Sequence, residues 1–231
     1  MLPGHLAVDG TNTKPSKPST PARSGEASYF ALLVPLILLG VALFVSDRYF
    51  TYIDDECYII DMAARPAFHT VRLYLQGAGP LGHPPLFDLI LHVWLRVTNG
   101  WVPLLRLPSE VPYILGLWVL AQLAHKLGNA RAALWLVWLG VLWPYGFHYG
   151  RLGGWYSFAF LVLALVTKSY VDWLSDPSRG RALWFTVASL ALAYTNYFGW
   201  ALLACFALDF SLPTPGILRK CGGRHQPPRM N

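Results

Sequence analysis

The sequence predicts an all-α integral membrane protein with about six transmembrane helices. Of its 231 residues, 55% are hydrophobic and only 13% are charged, and long apolar runs recur along the chain. A soluble domain carries about 25% charged residues, and a spanning helix needs roughly 17–25 apolar residues. Ten Trp and twelve Tyr suit the two membrane–water interfaces, where amphipathic rings are enriched.

The first half of the chain begins with a polar segment and one apolar run. Residues 1–28 are rich in Pro, Ser, Thr and Gly, a composition typical of disorder. No small-residue cleavage pattern follows the apolar run 29–45, so we interpret this run as a retained anchor and not as a signal peptide. Further single passes are predicted at 107–124, 132–149 and 155–171.

The last apolar run, 182–210, is longer than one upright pass requires. It is interrupted by the polar cluster Tyr-Thr-Asn-Tyr at 194–197, followed by Gly199. We expect two short helices that meet near the outer membrane face, which gives six passes in all. One long, tilted helix is the alternative. Residues 211–231 form a polar, basic tail.

Residues 86–98 are apolar but too short for a full span. Their polar members Asp88, His92 and Arg96 are spaced four residues apart and therefore share one helix face. A short helix with one polar stripe is typical of a segment that lies flat in the membrane interface. We therefore leave this segment out of the predicted passes.

The basic residues predict the orientation through the positive-inside rule. With a cytoplasmic N-terminus, each cytoplasmic segment of the six-pass arrangement is basic, and no lysine occurs between Lys17 and Lys126. The segment 46–106 then forms a large exterior loop that holds six of the twelve acidic residues. We expect a multipass protein of the inner (plasma) membrane. The net charge of +6 does not indicate a nucleic-acid partner, because the basic residues are scattered between apolar runs.

The densest polar feature is Asp54-Asp55-Glu56, close to the end of the first predicted helix. Adjacent carboxylates tend to raise one another's pKa, so one of them can act as a general base. The cluster can also hold a divalent cation, which is the only cofactor that the sequence suggests. The alternative is a solvated acidic turn that caps the next helix.

Three further features carry polar groups to the same predicted membrane face. His83 precedes two prolines at the start of the interfacial helix, where it can bind a phosphate or orient a carboxylate. Arg151, flanked by aromatic residues and glycines, can neutralise a lipid phosphate or anchor the chain by snorkelling. The cluster at 194–197 can face a cavity or form helix–helix hydrogen bonds.

The order and spacing of these motifs resemble the GT-C superfamily of membrane glycosyltransferases. The resemblance is to the bacterial relatives of dolichyl-phosphate-mannose protein mannosyltransferases, and it covers about residues 29–210. It is carried by Asp55-Glu56 after the first helix, His-Pro-Pro-Leu-Phe at 83–87, Arg-Leu-Pro-Ser at 106–109, Arg151 with Tyr156, and Tyr-Thr-Asn-Tyr-Phe at 194–198.

The resemblance implies transfer of a sugar from a polyprenyl-phosphate donor to a lipid or protein acceptor, with inversion at the sugar carbon. Asp55 would be the catalytic base and Glu56 its partner, while His83, Arg151 and Tyr156 would bind the donor. Asn196 stands where relatives often have His. Full family members are longer, so we expect this chain to match only the N-terminal portion of a full member. The interpretation of the chain as a truncated or inactive fragment stays open. The alternative class is a non-enzymatic membrane protein, such as a scaffold or transporter fragment.

Overall fold

The computed structural model describes residues 24–49, 52, 54–77 and 83–211, and within these ranges the chain is helical and contains no strand. The helices of this part of the chain are α1 (Ser24–Ser46), α2 (Asp54–Ala64), α3 (Ala67–Leu75), α4 (Leu86–Thr98), α5 (Leu107–Leu127), α6 (Ala130–Leu142), α7 (Pro144–Arg151), α8 (Trp155–Ser175), α9 (Arg179–Ala193) and α10 (Gly199–Ser211), with one 3-10 turn at Val102–Leu104. The predicted all-helical class is therefore confirmed for the described residues.

Two of these helices are long and apolar enough to cross a membrane. They are Val102–Leu127, which joins the 3-10 turn to α5, and Trp155–Ser175, with 26 and 21 residues. Shorter apolar helices lie at Phe30–Ser46, Ala130–Leu142 and Gly199–Ser211. These findings agree with a membrane protein, whereas the six passes and the exterior position of 46–106 stay predictions.

Helix α1 begins before the predicted boundary at residue 29. Residues 24–28, which we expected to belong to a disordered segment, form its first turn. This part of the chain contains Glu and Ala, which have high helix propensity. The rest of the predicted disordered segment and nearly all of the basic tail lie outside the described residues.

The run 132–149 does not form the single helix that we predicted. It is divided at Trp143 between α6 and α7, because Pro144 disfavours helical geometry in the residue before it. Trp143 is accordingly extended, with φ −75° and ψ 113°. Helix α6 has 13 residues, or about 20 Å at 1.5 Å per residue, which is less than the roughly 30 Å hydrocarbon core.

Two other local predictions hold. The apolar run 182–210 is broken, as expected, between α9 and α10, where residues 194–198 form turns. Helix α4 has the predicted bounds of 86–98. Whether α4 lies in the membrane interface and whether α9 and α10 are separate passes stay predictions.

Within the described residues, the core contains three hydrophobic clusters, each packed against α5 or α8. Helices α1, α5 and α6 share the first cluster, which includes Leu39, Leu117 and Val137. Helices α8, α9 and α10 share the second, which is centred on Tyr170. The third cluster joins α2 and α4 and includes Phe87, whose ring is 6.0 Å from the ring of Phe158 on α8. These contacts fix the α2–α4 segment against the start of α8.

Candidate functional site

A buried ionic cluster connects the ends of several helices. The Nε and Nη2 groups of Arg106 donate hydrogen bonds to the two carboxylate oxygens of Glu56, each at 2.9 Å. Arg106 Nη1 donates to Asp47 at 3.0 Å, and the Gly153 amide donates to Glu56 Oε1 at 2.7 Å. The side chains of Arg106 and Glu56 are only 4% and 2% exposed. The Tyr52 ring lies 4.5 Å from the guanidinium carbon.

This Arg106 cluster follows from where its residues lie in the chain. Asp47 directly follows α1, Glu56 lies in the first turn of α2, and Arg106 directly precedes α5. Gly153 lies in the turn before α8, where an added Cβ would be 3.1 Å from Glu56 Oε1. Two-point pairing of arginine with carboxylate is strong and directional, so these segments are held in one fixed arrangement.

Glu56, which the resemblance implied to be the partner of Asp55, lies within this cluster, and its catalytic role stays a prediction. Both of its oxygens accept hydrogen bonds from Arg106, and one also accepts from Gly153. In this arrangement Glu56 anchors the segment after α1, and it does not offer a free carboxylate to a substrate. Glu110, which the sequence analysis did not single out, is also buried beside Asp47, and its Oε1 atom has no hydrogen-bond partner in the described part of the chain.

Asp55 is the neighbouring carboxylate, and it is exposed. Asp55 and Glu56 both lie in the first turn of α2. Negative charge at this position interacts favourably with the helix dipole, which agrees with the helix-capping alternative. Asp55 also lies close enough to Tyr156 to interact with its hydroxyl electrostatically. The side chain of Asp54 lies outside the described residues.

Tyr156 belongs to an aromatic group at the start of α8. Its ring stacks on Trp155 with 4.3 Å between centroids, and it lies 5.0 Å from the ring of Tyr149. The three rings line an open cavity of about 430 Å³, together with Asn196 and Phe198 from the α9–α10 turn. Ligand sites are commonly concave, aromatic and of this size.

Arg151 is the last residue of α7 and lies close to the Arg106 cluster and to the aromatic group. Burial lowers its pKa, as does the charge of Arg106, while Asp47 and Glu56 act in the opposite direction. Because arginine is effectively always protonated, Arg151 remains a cation near the aromatic cavity.

His83 lies in a second buried cluster. Its side chain is only 3% exposed, and its ring centroid is 5.4 Å from Trp155 and 6.3 Å from Tyr74. The Tyr74 hydroxyl donates a 2.5 Å hydrogen bond to Asp88 Oδ2. Asp88 is 1% exposed, and its Oδ1 has no hydrogen-bond partner in the described part of the chain.

The electrostatics of this Asp88 cluster follow from its burial. Burial raises the pKa of Asp88, while the Tyr74 hydrogen bond and the charge of His83 lower it. Burial and the Asp88 carboxylate also raise the pKa of Tyr74. His83 thus acts electrostatically on the Asp88 carboxylate, while its predicted role in phosphate binding or carboxylate orientation stays a prediction.

Of the predicted polar stripe of α4, Asp88 and His92 face the protein, whereas Arg96 is exposed. Asp88 faces Tyr74 on α3, and His92 Nδ1 lies 2.8 Å from the carbonyl oxygen of Ala63 on α2. The apolar residues Val93 and Val97 are exposed on the other side. The stripe was visible in the sequence, whereas its direction depends on α2 and α3, which the sequence analysis did not resolve.

All four motifs that the sequence singled out meet in one region. Glu56 contacts Gly153, His83 packs on Trp155, and the Leu86 amide donates a 3.2 Å hydrogen bond to the Tyr194 carbonyl. Within the described ranges, no group of three or more His, Cys, Asp or Glu side chains is arranged to hold a metal ion. No protein-family model matches the sequence, and comparisons with curated proteins and with solved structures find no match.

Proposed function

We propose that this protein is a membrane glycosyltransferase that moves a sugar from a polyprenyl-phosphate donor to an acceptor hydroxyl at the exterior membrane face. One observation carries the proposal: the exposed carboxylate Asp55 interacts electrostatically with Tyr156, which lines the aromatic cavity together with Tyr149, and the cation Arg151 ends the helix that carries Tyr149. These groups supply a base for the acceptor hydroxyl, a cation for the phosphate and an aromatic face for the sugar ring.

In the proposed reaction, the Asp55 carboxylate takes the proton of the acceptor hydroxyl. The acceptor oxygen forms a bond to the anomeric carbon of the sugar while the bond from that carbon to the phosphate oxygen breaks. The polyprenyl phosphate leaves with the electron pair, and the sugar carbon is inverted. A positioned general base is worth roughly 10²–10⁴ in rate.

The other residues have supporting roles in this proposal. Arg151 balances the phosphate charge, since a guanidinium can donate two parallel hydrogen bonds to phosphate oxygens. Tyr156 provides a face for the sugar ring. We assign His83 to the positioning of Trp155, because it is buried behind that ring. Glu56 keeps Asp55 in place through its bonds to Arg106.

The test compares Asp55→Asn with Asp54→Asn in membranes that contain each full-length variant at equal abundance. The donors are polyprenyl phosphates that carry labelled mannose, glucose or a pentose, and the readout is label transferred to lipid or protein. We expect Asp55→Asn to abolish transfer while membrane insertion is unchanged, and Asp54→Asn to have the smaller effect. Loss in Asp54→Asn alone would move the base by one position. Normal transfer in both variants would make these carboxylates structural and overturn the assignment of Asp55 as the base, whereas absence of transfer by the unmodified protein from every donor would favour the non-enzymatic alternative.

A further inference from the structure

A cleft runs between α8 and α9, from Phe158 in the first turn of α8 to a basic end at Lys168 and Arg181. It has a volume of about 480 Å³, and its walls are mostly apolar, with Leu165 on α8 and Val187 and Ala191 on α9 among the lining residues. Lys168 and Asp172, which also line it, are more than three turns along α8 from Trp155. At 1.5 Å per residue, this separation is about 20–25 Å. The cleft therefore opens toward the opposite end of the predicted spanning helix.

Cationic side chains form the rim at that end. Asp172 accepts hydrogen bonds from Lys126 at 2.7 Å and from Lys168 at 2.6 Å, so one carboxylate is shared between two ammonium groups. Arg181 donates to the Asp176 carbonyl at 2.9 Å and pairs with the Asp176 side chain at 2.7 Å. These contacts hold Lys168 and Arg181 at the cleft with their charges only partly balanced.

The loops at this end of the bundle are basic, although Asp209 of α10 also lies here and accepts a hydrogen bond from Tyr170 of α8. The two connecting regions, residues 125–131 and 168–181, together contain five Lys or Arg and two Asp, which leaves three net positive charges with His neutral. The Lys126–Asp172 pair shows that these regions are neighbours. Trp184 lines the same cleft and is 71% exposed, as is common for Trp residues at the membrane–water interface.

We propose that this cleft binds one anionic phospholipid. The lipid phosphate pairs with Lys168 and Arg181, and one acyl chain lies along the apolar walls between α8 and α9. Charge complementarity selects this occupant: a zwitterionic lipid brings its own cation to the basic rim, and a free phosphate leaves the apolar walls empty. Basic pockets between transmembrane helices are a general mode of lipid head-group recognition. The site is separate from the aromatic cavity and does not depend on the proposed transferase activity.

Native mass spectrometry of the full-length protein in detergent tests the proposal. Dioleoyl phosphatidylglycerol and dioleoyl phosphatidylcholine are added at matched concentrations, and the bound fraction is measured. We expect tighter binding of phosphatidylglycerol. The double variant Lys168→Gln/Arg181→Gln should weaken it by about 30-fold, since each basic residue contributes about fivefold. Equal binding of the two lipids to the unmodified protein would overturn the proposal.

Two further variants separate the cleft from general charge and from misfolding. Arg131→Gln/Arg179→Gln removes the same charge from the same end but changes no residue that lines the cleft, so it should weaken binding less than threefold. Val187→Trp narrows the cleft without changing charge and should also lower phosphatidylglycerol binding. An equal loss in both charge variants, or undiminished binding by Val187→Trp, would contradict a specific lipid site.

Discussion

The Arg106 cluster predicts a large loss of stability when Glu56 is replaced by alanine. The substitution removes three hydrogen bonds and leaves Arg106 with one remaining carboxylate partner among those described above, Asp47. It also leaves the Gly153 amide without its acceptor. Because both members of the pair are almost completely buried, water cannot replace the lost contacts without opening the structure.

The expected magnitude follows from this burial. Removal of one partner from a buried ion pair costs about 3–5 kcal/mol. For a chain of this length, each kcal/mol lowers the melting temperature by about 2–4 °C. We therefore expect Glu56→Ala to melt about 6–20 °C below the unmodified protein. A double variant, Glu56→Met/Arg106→Met, should lose less than the sum of the single changes, because it leaves no unpaired guanidinium.

The measurement is thermal unfolding of the purified protein in detergent. Asp61→Ala is the matched control, since it also removes a carboxylate from α2 and breaks an ion pair, the one with Arg65. That pair is exposed on the surface, so its loss should cost less than about 1 kcal/mol. If Glu56→Ala melts within the same narrow range as Asp61→Ala, the buried pair does not stabilise the fold and the reasoning fails.

Two further predictions concern Asp88 and the packing of α7. Burial raises the pKa of Asp88 above its ordinary value of 3.8, so the free energy of unfolding should fall as pH rises from about 4 through the raised pKa. Asp88→Asn should remove this contribution to the pH dependence of the melting temperature between pH 4 and 8. An unchanged pH dependence in Asp88→Asn would contradict the prediction. Gly146→Ala would drive a Cβ into the Tyr113 hydroxyl, which donates to the Gly140 carbonyl, and should cost about 1–3 kcal/mol. Gly180→Ala, with no atom within 4 Å of the new Cβ, should instead gain up to about 1 kcal/mol; equal effects of the two changes on melting would refute the packing argument.

The sequence predicted features that depend on neighbouring residues. The bounds of α4 follow from Pro84-Pro85 at its start and a continuous apolar pattern, and the break at 194–198 follows from a polar cluster and a glycine. The division at Trp143 has an equally local cause, the following proline, but the strong hydrophobicity of 132–149 led to the wrong prediction of one continuous helix.

Features that depend on distant residues could not be predicted in the same way. The partners of Glu56 are 50 and 97 residues away along the chain, and no local spacing specifies which cation pairs with which carboxylate. The polar stripe of α4 was recognised, but the partners of Asp88 and His92, which are Tyr74 and Ala63, lie on other helices. The motifs at 55, 83, 151 and 194 were expected on one membrane face; their direct contacts became visible only in three dimensions.

The hydrogen bond from the Leu86 amide to the Tyr194 carbonyl has a consequence for the order of events during synthesis. The start of α4 leaves the ribosome more than a hundred residues before its partner does, a delay of roughly 5–20 seconds at common translation rates. During that interval the Leu86 amide lacks its acceptor, and Trp155 is itself made only partway through. The segment that follows α1 is the first to be exported under the predicted topology, yet the hydrogen bond at the start of α4 can form only after α9 has been made.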